Sequence, residues 1–320
     1  MEPPKEKISL ICNLLLTSQN EAELQIISQN FLHLHKTLKV YPDEQSTISI
    51  IQKLLSSSNP SLRILGLKIV RKMWTSTSPS SQQIISKFIQ DIDPGVRVAA
   101  LKGVVNSTSP QEIINYFSDY NVEVQKEAMR LFVKNIWNFD QDYILEQLVP
   151  QTFSNSSEVV IETLKLIGTL KLSIKAIQKS LKIDDRVPCS GFLLFVFESE
   201  FCDVRIKAIE SISNILGKIL PSSYDGNYAG VVYLVVKVLL DIINDEFREV
   251  RIMVFKFLAK LTPYFMLKKV IGTQKADVDS CIFNLRDADP ELRHAIYDFL
   301  CTVRIDNAMH AQIILDVLDT

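Results

Sequence analysis

The chain has 320 residues, 47% of them hydrophobic and 22% charged, and its 35 Lys and Arg against 37 Asp and Glu leave a formal charge of −2. That apolar share excludes disorder, and the near balance of charge argues against a protein whose main task is to coat bare nucleic acid. Nine glycines, of which only Gly226 and Gly230 lie within a few residues of each other, form no phosphate-cradling loop. Gly217-Lys218-Ile219 lacks the hydroxyl that a P-loop places on magnesium, and G-x-G-x-x-G is absent.

In chain order, Lys5 and Lys7 precede an apolar run at 8–16. Glu2, Glu6, Asn13 and the lack of a small-residue cleavage site make this run a helix rather than a secretory signal. Residues 8–38 are predicted to be a degenerate helical hairpin that caps one end. From there a twelve-residue pattern recurs as NPSLRILGLKIV (59–70), DPGVRVAALKGV (93–104), NVEVQKEAMRLF (121–132), SSEVVIETLKLI (156–167), FCDVRIKAIESI (201–212), FREVRIMVFKFL (247–258) and DPELRHAIYDFL (289–300). Successive starts differ by 34, 28, 35, 45, 46 and 42 residues, which is a repeat period. In each copy an apolar residue (Leu62, Val96, Val124, Val159, Val204, Val250, Leu292) is followed by apolar positions five and eight later, the stripe of one helix face.

Amphipathic stretches at 48–55, 83–89, 112–117, 143–153, 233–243 and 278–285 separate the copies, so each unit reads as helix, turn, helix. The Ser- and Pro-rich pieces at 56–61, 75–81, 107–110 and 221–227 read as turns, and 307–319 as a last amphipathic helix. A lone helical pair cannot bury its apolar face, whereas a stack shares one continuous core. The expected fold is therefore all-α: a single curved, right-handed, monomeric α-solenoid of about eight HEAT-like pairs. Its repeats span 45–304, with no two-domain boundary. The tract at 231–243, broken by Lys237 and Asp241, is too short and too charged to span a bilayer.

The helix openings have chemical causes. Asn59-Pro60, Asp93-Pro94 and Asp289-Pro290 set an N-cap acceptor before a proline at the first helical position, where the missing N–H costs nothing. Four residues into five copies stands an arginine: Arg63, Arg97, Arg205, Arg251 and Arg293. A cation there opposes the helix dipole, so its recurrence in one register predicts an acidic partner on the adjacent repeat. Gln125 and Val160 occupy that slot in the other two copies and interrupt the ladder. A small residue three positions later (Gly66, Ala100, Ala128, Ala208) lets the preceding helix pack closely.

The succession IISKFIQDIDPGVRVAALKGV, NVEVQKEAMRLF, FESEFCDVRIKAIESI, DIINDEFREVRIMVFKFL and LRDADPELRHAIYDFLC, with these irregular spacings, resembles the N-terminal HEAT array of subunit 4 of the Integrator complex over roughly residues 80–318. The resemblance implies a non-catalytic scaffold. It would gather two metallo-β-lactamase-fold proteins, an RNA endonuclease and its inactive relative, into a cleavage module for 3′-end processing of nascent nuclear RNA. It also implies residence in the nucleus; no run of five basic residues marks an import signal, so this expectation rests on the resemblance alone, and the cytoplasm stays open. Longer family members continue into a C-terminal non-HEAT region that contacts the partner subunits, and the resemblance here covers the HEAT array alone.

No cofactor, metal site or catalytic group is expected. His33 and His35 point about 200° apart on a helix and cannot share a metal, and His294 and His310 are isolated. Asp91/Asp93, Asp245/Glu246 and Asp287/Asp289 fall in turns ahead of repeat helices, where capping or ladder pairing explains them; Asp184/Asp185 does not. The five cysteines lie 13 or more residues apart and read as reduced core thiols. One surface feature lies outside the repeat. Lys171, Lys175 and Lys179, with Lys182 and Arg186 beyond, are expected to form one basic stripe on a single helix, with Leu172, Ile174, Ile177 and Leu181 on its apolar side. The stripe is either a solvated face or an anion site for RNA, an inositol polyphosphate or a partner's acidic patch. Two rival functions share the fold: a general HEAT adaptor for transport or chromosome organisation, and a HEAT-like nucleic-acid enzyme of the DNA-glycosylase sort. The latter would use a basic concave face, aromatics such as Trp74 and Trp137, and a buried carboxylate.

Overall fold

The computed structural model describes residues 4–38, 44–73, 79–104, 109–135, 140–181, 191–219, 229–261, 284–285, 287 and 289–302. Among the described residues there are helices and turns and no strand. The contacts gather the chain into two compact units, 1–138 and 139–320.

In the first unit, α1 (Pro4–Thr17) and α2 (Glu21–Leu38) pack together as a helical hairpin. They are followed by α3 (Glu44–Leu55) with α4 (Pro60–Met73), α5 (Pro79–Ser86) with α6 (Pro94–Leu101), and α7 (Pro110–Ile114) with α8 (Val122–Asn135). The chain between α7 and α8 continues as a 3-10 turn at Asn115–Ser118. Helices α4, α6 and α8, the repeated-pattern helices, stack in succession, each with its preceding helix packed beside it. The apolar stripe causes this. In α8, Val124, Ala128, Leu131 and Phe132 are buried at helical spacing while the opposite face is charged. Phe117 meets Phe132 edge to face at 5.4 Å, and burying a ring of this kind is worth roughly 1.5–3 kcal/mol.

The second unit runs α9 (Gln141–Leu148), a 3-10 turn at Val149–Phe153, α10 (Ser157–Ile167), α11 (Ile174–Leu181), α12 (Phe192–Phe197), α13 (Cys202–Ile219), α14 (Ala229–Asp241), α15 (Arg248–Leu261) and α16 (Pro290–Thr302). Here α10, α13, α15 and α16 form the stack, with Phe255 and Phe299 at 6.0 Å joining the last two.

All seven copies of the pattern form the helix expected of them. The caps are as anticipated: Asp93 accepts from the Val96 N–H at 3.0 Å, Asn59 from Ser61 at 2.9 Å and Asp289 from Leu292 at 2.9 Å. At Gly66 of α4, a Cβ would lie 2.8 Å from Leu55 Cδ2 of α3, and Ala100, Ala128 and Ala208 are fully buried. Small residues at this position do admit a close neighbour.

Some details differ from expectation. Pro79 already belongs to α5 and Pro110 to α7, so the turns at 75–81 and 107–110 are shorter than read. The long interval between α10 and α13 holds an additional short helix, α12, whose Phe192, Leu193, Val196 and Phe197 are buried. Gly191 opens it with φ 67°, a left-handed conformation that suits glycine, and its N–H donates at 2.8 Å to the Lys179 carbonyl at the end of α11. Of the cysteines, Cys12 is a core thiol, but Cys202 is half-buried and Cys301 exposed. The segments 221–227 and 307–319, most of 278–285, and Cys189 and Cys281 lie outside the described residues. Among those described, no helix is long and apolar enough to cross a membrane.

Candidate interaction surface and the arginine ladder

The recurrent arginines do two things at once, and both follow from the length and fork of the guanidinium. Each reaches back along its own repeat to the carbonyl six residues earlier. Arg63 Nη1 donates to the Ser57 and Ser58 carbonyls at 3.0 and 2.8 Å, and Arg97 Nη1 to those of Asp91 and Ile92 at 2.9 and 3.2 Å. Arg205 Nε donates to the Ser199 carbonyl, Arg251 Nη1 to Asp245 at 2.8 Å, and Arg293 Nη1 to Asp287 at 2.7 Å. These carbonyls lie in the turn ahead of the helix, where no intrahelical N–H is in register to meet them.

The remaining edge of the fork reaches the next repeat. Arg63 pairs bidentately with Asp91 (Nε at 2.9 Å, Nη2 at 2.8 Å) and Arg97 with Asp119 (3.0 and 2.8 Å). Arg205 meets Asp245 at 2.7 Å and Glu246 at 3.1 Å, while Arg251 meets Asp287 at 3.1 Å. Each receiving aspartate stands six residues before the slot of its own repeat. It accepts an N–H two residues on as well: Asp91 from Asp93 at 2.9 Å, Asp119 from Asn121 at 2.9 Å, Asp245 from Phe247 at 2.8 Å and Asp287 from Asp289 at 2.9 Å. Aromatic faces cover two of the guanidiniums, Tyr120 at 4.6 Å from Arg97 and Phe247 at 5.1 Å from Arg205.

Burial raises the carboxyl pKa of Asp91, but the Arg63 hydrogen bond, the Asp93 N–H and the charges of Arg63 and Arg97 outweigh it and hold the group below the ordinary carboxylate range. Burial works against the charge of Arg97 too. Asp119 and Tyr120 more than compensate, and the guanidinium is held more firmly protonated. The opposing helix dipole is thus answered, as expected, by a neighbouring acid.

The interruptions are matched on both sides. Gln125 keeps the carbonyl contact, donating from Nε2 to Asp119 O, but carries no charge. Val160 keeps neither function, and the position that would receive it one repeat later is Ser199 instead of aspartate. Where a carboxylate stands six residues before a slot, the previous slot holds arginine.

The basic stripe departs from its expected geometry. Helix α11 begins at Ile174 because Ser173 caps it, accepting from the Ala176 N–H at 3.1 Å while Ser173 itself is tied to Asp142 of α9 through its N–H at 3.1 Å and its hydroxyl at 2.6 Å. Lys171 therefore lies before the helix, and the stripe is not carried by one helix. Lys171 and Lys175 are exposed, and Lys179 pairs with Glu146 at 3.2 Å. Lys182 and Arg186 lie outside the described residues. Lys171 also acts on Lys218, whose pKa is lowered by burial and then by the Lys171 charge while it donates to the Gly168 carbonyl at 2.8 Å.

His33 is exposed on α2, and His294 is exposed on α16, 3.7 Å from Asp298. The side chain of His35 and the whole of His310, Trp74, Trp137, Asp184 and Asp185 are outside the described residues. Among the described residues, no three His, Cys, Asp or Glu side chains come together as metal ligands. Burial raises the Cys202 pKa, with Glu249, Asp203 and Asp245 adding to it, so the thiol stays protonated.

No family model and no curated protein matches the chain. Among solved structures, Kap121p bound to Pho4p is similar with a TM-score of 0.62 and 11% identity, covering 93% of this chain and 37% of that one. The karyopherin Kap121p bound to the extreme C-terminus of the protein phosphatase Cdc14p gives 0.58 and 13%, with 98% and 39% covered. An engineered protein gives 0.53 and 16%, with 97% and 81% covered. The chain thus spans little more than a third of Kap121p. At these identities the likeness is one of fold: the chain is an all-α solenoid.

Proposed function

We propose that the chain is a non-catalytic HEAT-repeat scaffold that binds other proteins in the nucleus. In this reading it resembles subunit 4 of the Integrator complex, and its partners are a metallo-β-lactamase-fold RNA endonuclease and the inactive relative of that enzyme. The observation that supports it best is the ladder. The arginines and aspartates that could have formed a reactive or polyanion-binding centre are spent in one repeating register between helices, so exposed helix faces are left to make contacts. Lys171, Lys175 and Lys179 belong to this reading as the anion- or partner-binding candidates.

A general adaptor for transport is the second reading, favoured by the likeness to Kap121p, a karyopherin whose structures include Pho4p and the Cdc14p C-terminus. Purification from native extract followed by identification of copurifying proteins separates the two. Metallo-β-lactamase-fold proteins are the expected companions. Transport factors or chromosome proteins in their place would establish the second reading, and release of a base from DNA by the isolated chain would overturn both.

A further inference from the structure

Of the two places where the ladder lacks a charged rung, the one at Val160 is open. Between the 3-10 turn at Val149–Phe153, the start of α10 and the approach to α13 lies a cavity of about 350 Å³. Its lining includes Val160, Val204, Ser154, Ser199, Glu200 and Phe201. Val160 sits in the arginine slot. In register, Ser199, Glu200 and Phe201 correspond one repeat earlier to Asp245, Glu246 and Phe247, the three residues that hold Arg205 through a carboxylate at 2.7 Å, a second carboxylate at 3.1 Å and an aromatic face at 5.1 Å. Two of those three features, the carboxylate and the ring, are therefore present at the cavity without a guanidinium from the preceding repeat.

The groups there are available. Glu200 is exposed, and Phe201 is 46% exposed despite its size. Ser154 lines the cavity too, and its carbonyl stands six residues before Val160, the position from which the arginines of the other slots take their acceptor. Phe153, 49% exposed, adds a second aromatic at the rim. Glu158, Glu198 and Asp203 are exposed nearby in sequence and make the surround acidic. Arg205, the cation of this region, is already committed to the Ser199 carbonyl, Asp245 and Glu246.

We propose that this cavity binds an arginine side chain from an extended segment of a partner protein. The guanidinium enters where the chain's own rung is missing. It pairs with Glu200, donates to the Ser154 carbonyl, and lies against Phe201 as Arg205 lies against Phe247. A planar fork suits these three groups better than a lysine ammonium does, because it can donate along two edges while its face stays on the ring. This inference rests on the scaffold reading for its source of partners, but the site stands on its own residues.

The test uses the full chain and a fluorescein-labelled peptide, Gly-Ser-Leu-Arg-Leu-Ser-Gly, with a citrulline version that keeps the shape and removes the charge. In fluorescence anisotropy the arginine peptide binds, and both citrulline and Glu200→Gln weaken it about tenfold, as loss of a charged hydrogen bond does. Phe201→Ala weakens it as well, and both variants alter exposed positions and leave the core intact. Val160→Arg fills the cavity from within and abolishes binding; should that variant fail to fold, the two surface variants decide.

The proposal is overturned if arginine and citrulline peptides bind alike, if Glu200→Gln leaves the affinity unchanged, or if no binding occurs. It is likewise overturned by self-association in sedimentation that Glu200→Gln abolishes without peptide binding, since the occupant is then a second copy of the chain. If peptide binding fails while native partners still copurify, the site falls and the scaffold reading stands. If peptide binding holds while no partner protein copurifies, the scaffold reading falls instead.

Discussion

Stacking α6 on α8 and stacking α10 on α13 pose one problem, a helix start whose turn carbonyls and dipole need an answer, and the two places answer it differently. At α6 the answer is electrostatic. Arg97 and Asp119 have side chains only 6% and 9% exposed, and they lock two adjacent turns through five hydrogen bonds or ion-pair contacts. At α10 it is steric and local. Val160 contributes apolar area only, and further along the two helices the backbones close up: a Cβ on Gly168 would stand 3.1 Å from Ser211 Cα, and Ser211 Oγ, fully buried, donates to the Leu164 carbonyl at 2.7 Å. A charged rung fixes the turn ends and a close approach fixes the helix bodies, so only the second arrangement leaves an opening at the turn.

The sharpest way to break this contrast is Arg97→Ala. It takes the guanidinium away from the Asp119 carboxylate, whose side chain is 9% exposed, and removing one member of a buried pair costs about 3–5 kcal/mol. Burial sets this cost, and recurrence of the arginine does not report burial. Urea unfolding measures it; a loss under 1 kcal/mol would mean that water reaches the pair. Val160→Ala, by contrast, removes two methyl groups beside an existing cavity and is expected to cost less.

Acid should act on the same contrast more gradually. Asp91 has its pKa lowered in the folded chain, so its contribution is complete above the unfolded carboxylate value, near 4, and is lost as pH falls through the lower folded value. Thermal midpoints followed from pH 6 down to pH 2.5 should therefore decline below about pH 4, and Asp91→Asn should flatten part of that decline. An unchanged acid limb in the variant would assign the loss to other carboxylates.

Much of this is legible in the sequence, and the reason is repetition. Seven copies in one register average out local exceptions, so the helices, the Asn59, Asp93 and Asp289 caps and an acidic partner for the arginines all follow from the spacing. What escaped depends on side chains far apart in sequence. The start of α11 is set by Asp142 of α9 reaching Ser173, and that moves Lys171 off the helix that the four-residue lysine spacing suggests. Helix α12 is six apolar residues behind Gly191 and has no helical period to detect. The cavity was invisible as well. An interrupted ladder is legible at Val160, but that Glu200 and Phe201 stay in rung register facing the gap requires the fold.

The steric half of the contrast is probed by Gly168→Ala. Its new methyl meets a backbone atom, which cannot rotate away, so α10 and α13 must separate at a cost of about 1–3 kcal/mol, less any gain in helix propensity. Ser211→Ala removes the hydrogen bond without crowding and should cost about 1 kcal/mol. If Gly168→Ala proves neutral in the same unfolding assay, the close approach does not hold these helices, and the difference between the two regions reduces to charge.

The smallest effect on stability is expected at the lysines, which lie in the region without a rung but outside the stack. Changing Lys171, Lys175 and Lys179 together to Glu removes one exposed ion pair, Lys179 with Glu146, which is worth about 0–1 kcal/mol. It also relieves Lys218 of the Lys171 charge that depresses its pKa. These changes oppose each other, so the midpoint should hardly move. Binding responds differently. If the exposed Lys171 and Lys175 contact an anion, heparin or RNA affinity at low salt falls in the triple variant, and the salt dependence shrinks with it. Equal affinity in parent and variant at low salt would make these lysines a hydrated face, and partner contact in the second unit would then rest on the acidic opening beside Val160.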